Sequence, residues 1–201
     1  MLDRVRAVFS DATRPRSRLT GDLPDSLRAR LKRETPAAVL VPIVAHPDEA
    51  TVLFTERTQH LKHHAGQISF PGGVVEPDDD GAIAAALRET EEEIGLPADQ
   101  VEIIGSLDLY LTITGFVVTP VVGIVSPGFQ IRPDPFEVAN VLEVPLAHLL
   151  EPDNYRSFVR SFMGASVSVY EIHYQGHRIW GATAAMLRNL SDVVLSSKNS
   201  N

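Results

Sequence analysis

Ser69–Leu96, SFPGGVVEPDDDGAIAAALRETEEEIGL, is the stretch whose reading decides the fold. It opens with a Pro-Gly-Gly turn at 71–73, crosses an acidic loop, and enters a helix-forming segment ending Arg88-Glu89-Thr90-Glu91-Glu92-Glu93. Four glutamates within five residues repel one another on a bare helix, so the run calls for an explanation. At about 100° per residue the segment separates into faces. Ile83, Leu87, Thr90 and Ile94 form the stripe expected to pack inward, while Glu89, Glu92 and Glu93 gather on the far side. Glu91 falls outside that cluster. Three carboxylates on one patch offer oxygen ligands to a hard divalent cation. For an isolated helix, a solvated acidic face is the simpler reading.

The flanking residues change that balance. Gly95 suits the C-cap of the helix and Pro97 prevents its continuation. Gly72-Gly73 lets the backbone come close to whatever sits over the acidic face. Gly73 followed by Arg88-Glu89-Thr90-Glu91-Glu92-Glu93-Ile94-Gly95-Leu96 resembles the box of the Nudix hydrolases, in which a glycine precedes an acidic residue and then R-E-U-x-E-E-x-G-U. The acidic residue six after Gly73 is Asp79 rather than Glu, and Thr90 stands at a usually aliphatic position. The gap from Gly73 to Arg88 is one residue longer than the common pattern, as in the coenzyme A pyrophosphatase subgroup.

A second pattern lies upstream. Leu53-Phe54-Thr55-x-Arg57-Thr58, then Lys62, Gly66 and Phe70-Pro71-Gly72-Gly73, is similar to that subgroup's L-L-T-x-R-[SA]-x3-R-x3-G-x3-F-P-G-G. Lys62 keeps the charge of the usual arginine but loses its bidentate fork. From composition alone, Arg57, Lys62, His63 and His64 are either a solvated loop or a basic wall facing an anionic ligand. Zinc at His60, His63 and His64 is disfavoured, because the chain has no cysteine and the segment is no helical His pair.

The 201 residues carry a formal net charge of −8, with 44% hydrophobic and 22% charged residues, as expected of one domain over 1–201. The absence of cysteine removes disulfides, thiol chemistry and thiolate metal sites, and suits a cytoplasmic setting. An acidic balance argues against a nucleic-acid binder. No apolar run reaches membrane-spanning length. A homodimer is compatible with the chain.

Residues 1–33 read as a helical extension: Leu2, Val5, Val8 and Phe9 fit one short amphipathic helix and 26–32 a second. The arginine-rich start has the look of a transit peptide, but Asp3 and Asp11 count against it. Strands are expected at 37–45, with Pro42 marking a bulge or an edge, and at 51–57 as its hairpin partner. Further strands are expected at 101–107, 116–125 and 136–144, and residues 109–114 read as a short strand or a loop lining the site. Tyr110 and Phe116 are read as core aromatics, with a stacking role as the alternative. Residues 158–163 and 167–174 form a hairpin pair to which Gln175-Gly176 supplies a turn, and a closing helix spans 182–195.

The resemblance implies an α/β fold, a Nudix-type α/β/α sandwich around a mixed sheet, with the box at 69–96. It implies Mg²⁺ or Mn²⁺ held by Glu89, Glu93 and the Gly73 carbonyl, with Glu92 as further ligand or catalytic base. Arg88, able to reach Glu92 at i+4, would hold the carboxylates in register. Arg57, Lys62, Gly66 and Phe70 would bind the substrate, the two cations taking its phosphates, the 3′-phosphate among them. Glu137 and Glu143 are candidates for a ligand or base outside the box. The implied activity is hydrolysis of the diphosphate of coenzyme A or acyl-CoA. The alternatives are a Nudix enzyme of another specificity, such as ADP-ribose or NADH, and a non-catalytic binding module. Such modules commonly lose box carboxylates, and Glu89, Glu92 and Glu93 are all present.

Overall fold

Residues 35–44, TPAAVLVPIV, are too β-branched and too apolar for a surface helix, and they form the central strand of a mixed sheet. In the computed structural model, which describes residues 1–10, 19–21, 34–61, 64–162 and 164–196, helix α1 (Leu2–Ser10) and strand β1 (Leu19–Gly21) precede this strand, β2 (Thr35–Val44). Then come β3 (Thr51–Arg57), β4 (Ile68–Ser69), β5 (Gly72–Val74) and helix α2 (Gly81–Ile94). β6 (Val101–Ser106), β7 (Leu109–Leu111), β8 (Phe116–Val125), β9 (Val138–Pro145) and the short helix α3 (Leu146–Leu150) follow. The last elements are β10 (Tyr155–Phe162), β11 (Ala165–Tyr174), β12 (His177–Trp180) and helix α4 (Ala182–Ser196).

Strands β1 to β9 share one sheet, and β10 to β12 form a separate antiparallel one. β2 runs parallel to β8 along its whole length. Its other edge is divided: Ala37–Val39 pair with β5, and Ile43–Val44 pair with β3. β3 is thus only a brief hairpin partner of β2, and its long antiparallel partner is β9. Pro42 marks neither a bulge nor an edge. The Leu40 N–H donates to the Pro71 carbonyl at 2.9 Å, and amides two apart on a strand face the same way. The N–H that Pro42 lacks therefore falls in the gap between the β5 and β3 pairings, where no ladder bond is lost.

Alternation along β2 feeds two cores. Ala38, Leu40 and Val44 pack with Leu53 and Val121 under Ala85, Ala86 and Ile94 of α2. Ala37, Val41 and Ile43 join Phe9 of α1, Leu149 of α3 and Leu187 of α4 on the other face. Helices therefore cover both faces of the mixed sheet, giving the α/β/α arrangement expected from the sequence. The second helical candidate, 26–32, lies outside the described residues. Among the described residues no helix is long and apolar enough to cross a membrane.

Two local expectations change. The buried side of α2 is Ala85, Ala86, Thr90, Glu93 and Ile94, whereas Ile83 is 49% exposed. Alanines let the helix sit close to the sheet, so it rolls toward its carboxylates rather than burying its largest aliphatic side chain. Thr90 satisfies its hydroxyl inside the helix by donating to the Ala86 carbonyl at 2.6 Å. Gln175-Gly176 turns the β11–β12 hairpin, not β10–β11: Tyr174 pairs with His177, and both turn residues have positive φ, 46° and 86°. That is the combination a two-residue primed turn requires.

Gly72 and Gly73 offer a contrast that can be measured. A Cβ on Gly72, at φ 150°, would lie 2.3 Å from the Ala38 carbonyl oxygen and 2.6 Å from the Val39 Cα, both backbone atoms of β2. On Gly73 the nearest atoms would be the end of the Glu89 side chain, with Cδ at 2.5 Å. Gly72→Ala is expected to lower stability by about 1–3 kcal/mol in urea unfolding, since neither strand can yield. Gly73→Ala should cost distinctly less, because a carboxylate can swing away; equal losses would contradict this.

Candidate active site

The site is assembled at the C-terminal end of α2. Gly95, at φ 70°, donates its N–H to the Glu91 carbonyl at 2.8 Å and stops the helix. The amides of Arg132 and Asp134 donate to the carbonyls of Ile94 and Glu93, each at 2.8 Å, so the loop after β8 satisfies the last turn and fixes it in place. The same loop continues to Phe136, whose carbonyl accepts from the Thr58 hydroxyl at 2.8 Å. Glu137 accepts from the Thr58 amide at 2.9 Å. A register shift between Glu56 and Arg57 ends the regular pairing of β3 with β9 there. Glu93, Arg57 and Glu137, far apart in the chain, are thereby brought to one place.

Their geometry leaves charge unsatisfied. Arg57 Nη1 is 3.9 Å from Glu93 Oε1, and Nη2 is 3.8 Å from Glu137 Oε2. These are ion-pair separations too long for hydrogen bonds. Among the described residues, the buried Arg57 Nε and Glu93 Oε2 have no hydrogen-bond partner. Burial pushes the Glu93 carboxyl up to about 8; Arg57 and the Gly72 N–H oppose the shift, while Glu137 and Glu89 add to it. Burial also raises Glu89, against the pull of Arg88. The Glu89 carboxylate lies directly on the Gly73 backbone, a contact that any side chain at that position would fill.

Arg88 behaves differently from Arg57. Its Nε and Nη2 donate to the two carboxylate oxygens of Asp79 at 2.9 and 3.0 Å. Nη1 donates to Glu89 at 3.0 Å and to Glu92 at 3.1 Å, and Nη2 also reaches the Val74 carbonyl at 3.2 Å. Asp79 accepts the Glu76 amide too, at 2.8 Å, and the Arg88 bonds hold its carboxyl below the usual carboxylate range. The anchor that ties the acidic loop to α2 is therefore Asp79. Its six-residue spacing from Gly73 was the signal available in the sequence, where it carried no assigned role.

The remaining sequence candidates divide. Glu92 is 61% exposed and held by Arg88, and it does not line the cavity that Glu89 and Glu93 face. The expected convergence of three α2 glutamates is thus reduced to two, with Glu137 entering from another element. Among the described residues no group of three His, Cys, Asp or Glu side chains stands ready to hold a metal ion. Phe70 lines the cavity and stacks on Phe54, with ring centroids 5.1 Å apart. Gly66 serves the loop, taking φ 66° and donating its N–H to the Arg57 carbonyl at 3.1 Å. Lys62 and His63 lie outside the described residues. Glu143 accepts from His46 at 2.6 Å and also bonds Thr51, away from the cavity. Tyr110 belongs to the core, while Phe116 faces the cavity.

The cavity has a volume of about 860 Å³ and draws on both sheets. Its acid end fits a hard divalent cation on the chemistry of its donors. Two carboxylates meet a glycine backbone there, and one buried carboxylate oxygen has nothing to bond. A consequence for the metal-free protein follows from linkage. Glu93 holds its proton in the folded state up to about 8, against an ordinary value of 4.5, so the unfolded chain binds fewer protons between those limits. The Glu93 contribution to stability in EDTA should therefore be greatest below the lower value and fall as pH rises toward the upper one. Glu93→Gln should flatten that slope in urea titrations; an unchanged slope would contradict the burial argument.

Residues 34–163 match the family model described as the NUDIX domain. The uncharacterized Nudix hydrolase NudL of Photorhabdus laumondii is 43% identical over 158 residues, which is 79% of this chain and 84% of the relative. NudL of Escherichia coli K12 is 44% identical over 169 residues, 82% of this chain and 88% of the relative. In fold, the crystal structure of the Nudix hydrolase RenU of M. smegmatis is similar with a TM-score of 0.50 at 23% identity, covering 59% of this chain and 74% of that one. With the box residues assembled on α2 and a family match over most of its length, this chain belongs to the Nudix hydrolases, enzymes of nucleoside-diphosphate derivatives that generally need divalent ions such as Mg²⁺ or Mn²⁺.

Proposed function

We propose that the chain cleaves the diphosphate of coenzyme A or acyl-CoA, releasing 4′-phosphopantetheine or its acyl form and adenosine 3′,5′-bisphosphate. The observation that carries this reading is the mixed lining of one cavity. Arg57, Glu89, Glu93 and Glu137 line it together with Phe162, Val167, Val169 and Met186. A diphosphate flanked by an apolar arm and a purine matches that combination. The upstream pattern from Leu53 to Gly73, similar to the coenzyme A pyrophosphatase subgroup, supports the same substrate class.

Hydrolysis of a diphosphate is slow because its negative charge repels the attacking water. Divalent cations held by Glu89, Glu93 and the Gly73 carbonyl would neutralise phosphate oxygens and lower the pKa of water. Arg57 would donate to the phosphate oxygens, its buried Nε–H having no partner among the described residues. Glu137 faces the same space and is better situated than the exposed Glu92 to take a proton from water. Arg88 would act through Glu89, whose orientation it fixes from the Asp79 anchor. The apolar walls would exclude bulk water and strengthen each of these interactions.

Mass spectrometry of free coenzyme A incubated with protein and Mg²⁺ or Mn²⁺ should find 4′-phosphopantetheine and adenosine 3′,5′-bisphosphate. Cleavage of ADP-ribose or NADH with coenzyme A left intact would contradict the substrate assignment. Glu93→Gln and Glu89→Gln should each lower kcat by roughly a hundredfold or more. Arg88→Ala should instead weaken metal dependence by about ten- to a hundredfold, the scale expected when support for a ligand is lost.

A further inference from the structure

The second sheet brings its own cation to the cavity. Arg160 of β10 and Trp180 of β12 both line it. The Arg160 guanidinium lies 5.3 Å from the centre of the Trp180 ring, and Arg178 lies at the same distance from that ring. Arg178 is neutralised by Glu171 at 2.7 Å. Among the described residues Arg160 has no carboxylate within ion-pair distance. A guanidinium held over an indole ring by a cation–π contact keeps N–H groups available to a ligand.

We propose that Arg160, stacked on Trp180, determines specificity by binding a phosphate monoester of the substrate separate from the diphosphate. The proposal rests on the coenzyme A reading, in which that group is the 3′-phosphate of the adenosine half. Arg57 sits at the acid end, between Glu93 and Glu137, and belongs to β3 of the first sheet. Arg160 belongs to the second sheet. A ligand with two separated anionic groups is complementary to two separated arginines, and the purine can share the Trp180 neighbourhood with the monoester. The sequence alone gives Arg160 no distinction, since it is one of several exposed arginines on a hairpin.

Trp180 is the only tryptophan in the chain, so its fluorescence reports directly on this wall. Titrate the full chain in Mg²⁺ buffer with adenosine 3′,5′-bisphosphate and, separately, with adenosine 5′-monophosphate. The wild type should bind the bisphosphate at least about tenfold more tightly, as loss of a charge-assisted contact would require. Arg160→Ala should bind both alike, and Arg160→Lys should restore part of the preference, which a merely structural role would not do. The ratio of kcat/KM for coenzyme A over dephospho-coenzyme A should fall in parallel for Arg160→Ala. A wild type with no preference, or an Arg160→Ala protein that keeps it, overturns the subsite. Failure of the underlying reading is distinguishable: coenzyme A left uncleaved while Arg160→Ala erases the preference removes the diphosphatase assignment and leaves the phosphate site standing.

Discussion

A carboxylate sealed into the interior with one oxygen bonded to nothing is the constraint on which the rest of the molecule depends. Glu93 is 5% exposed, and its Oε2 makes no hydrogen bond. Leaving such a group bare costs stability, so the surrounding structure must hold it there against its tendency to escape or stay neutral. Three features do so. Ala85 and Ala86 bring α2 close to the sheet, the left-handed Gly95 ends the helix two residues later, and the amide of Asp134 clamps the Glu93 carbonyl. The cost is carried by tertiary packing, and a cation held at the site would offset it.

The arginines around this carboxylate divide the work. Arg88 spends its donors on Asp79, Glu89, Glu92 and the Val74 carbonyl, so it is a structural tie that cannot also grip a substrate. Arg57 hovers between two carboxylates beyond hydrogen-bond range and keeps a buried N–H unpartnered. One arginine has every donor engaged and the other keeps a buried one without a partner among the described residues. This difference follows from position: Arg88 sits on the helix beside the acidic loop, whereas Arg57 sits where β3 slips register against β9.

Much of this was legible in the residues. The glutamate run, Gly73 and Gly95 located the helix and the glycine under its acidic face, and β-branched runs located the long strands. The roll of α2 was not legible, because hydrophobicity alone favours burying Ile83, while the alanines and a functional carboxylate turn the helix the other way. Gln175-Gly176 was read as a turn but attached to the wrong hairpin, since a turn residue does not name the strand that pairs across it. Pro42 was misread because its missing N–H falls in a gap where two different strands, β5 and β3, share one edge of β2. Glu137 stood among the sequence candidates, but its place beside Arg57 depends on the Thr58 bonds, and Arg160 was missed for want of any local signal. Neither position can be inferred from its neighbours in the chain.

The central claim is that Glu89 and Glu93 together hold a divalent ion above the Gly73 backbone. Anomalous diffraction from crystals grown with Mn²⁺ tests it most directly. The account predicts a manganese peak within ligand distance of both carboxylates. A well-ordered structure with those side chains turned apart and no manganese between them would contradict it.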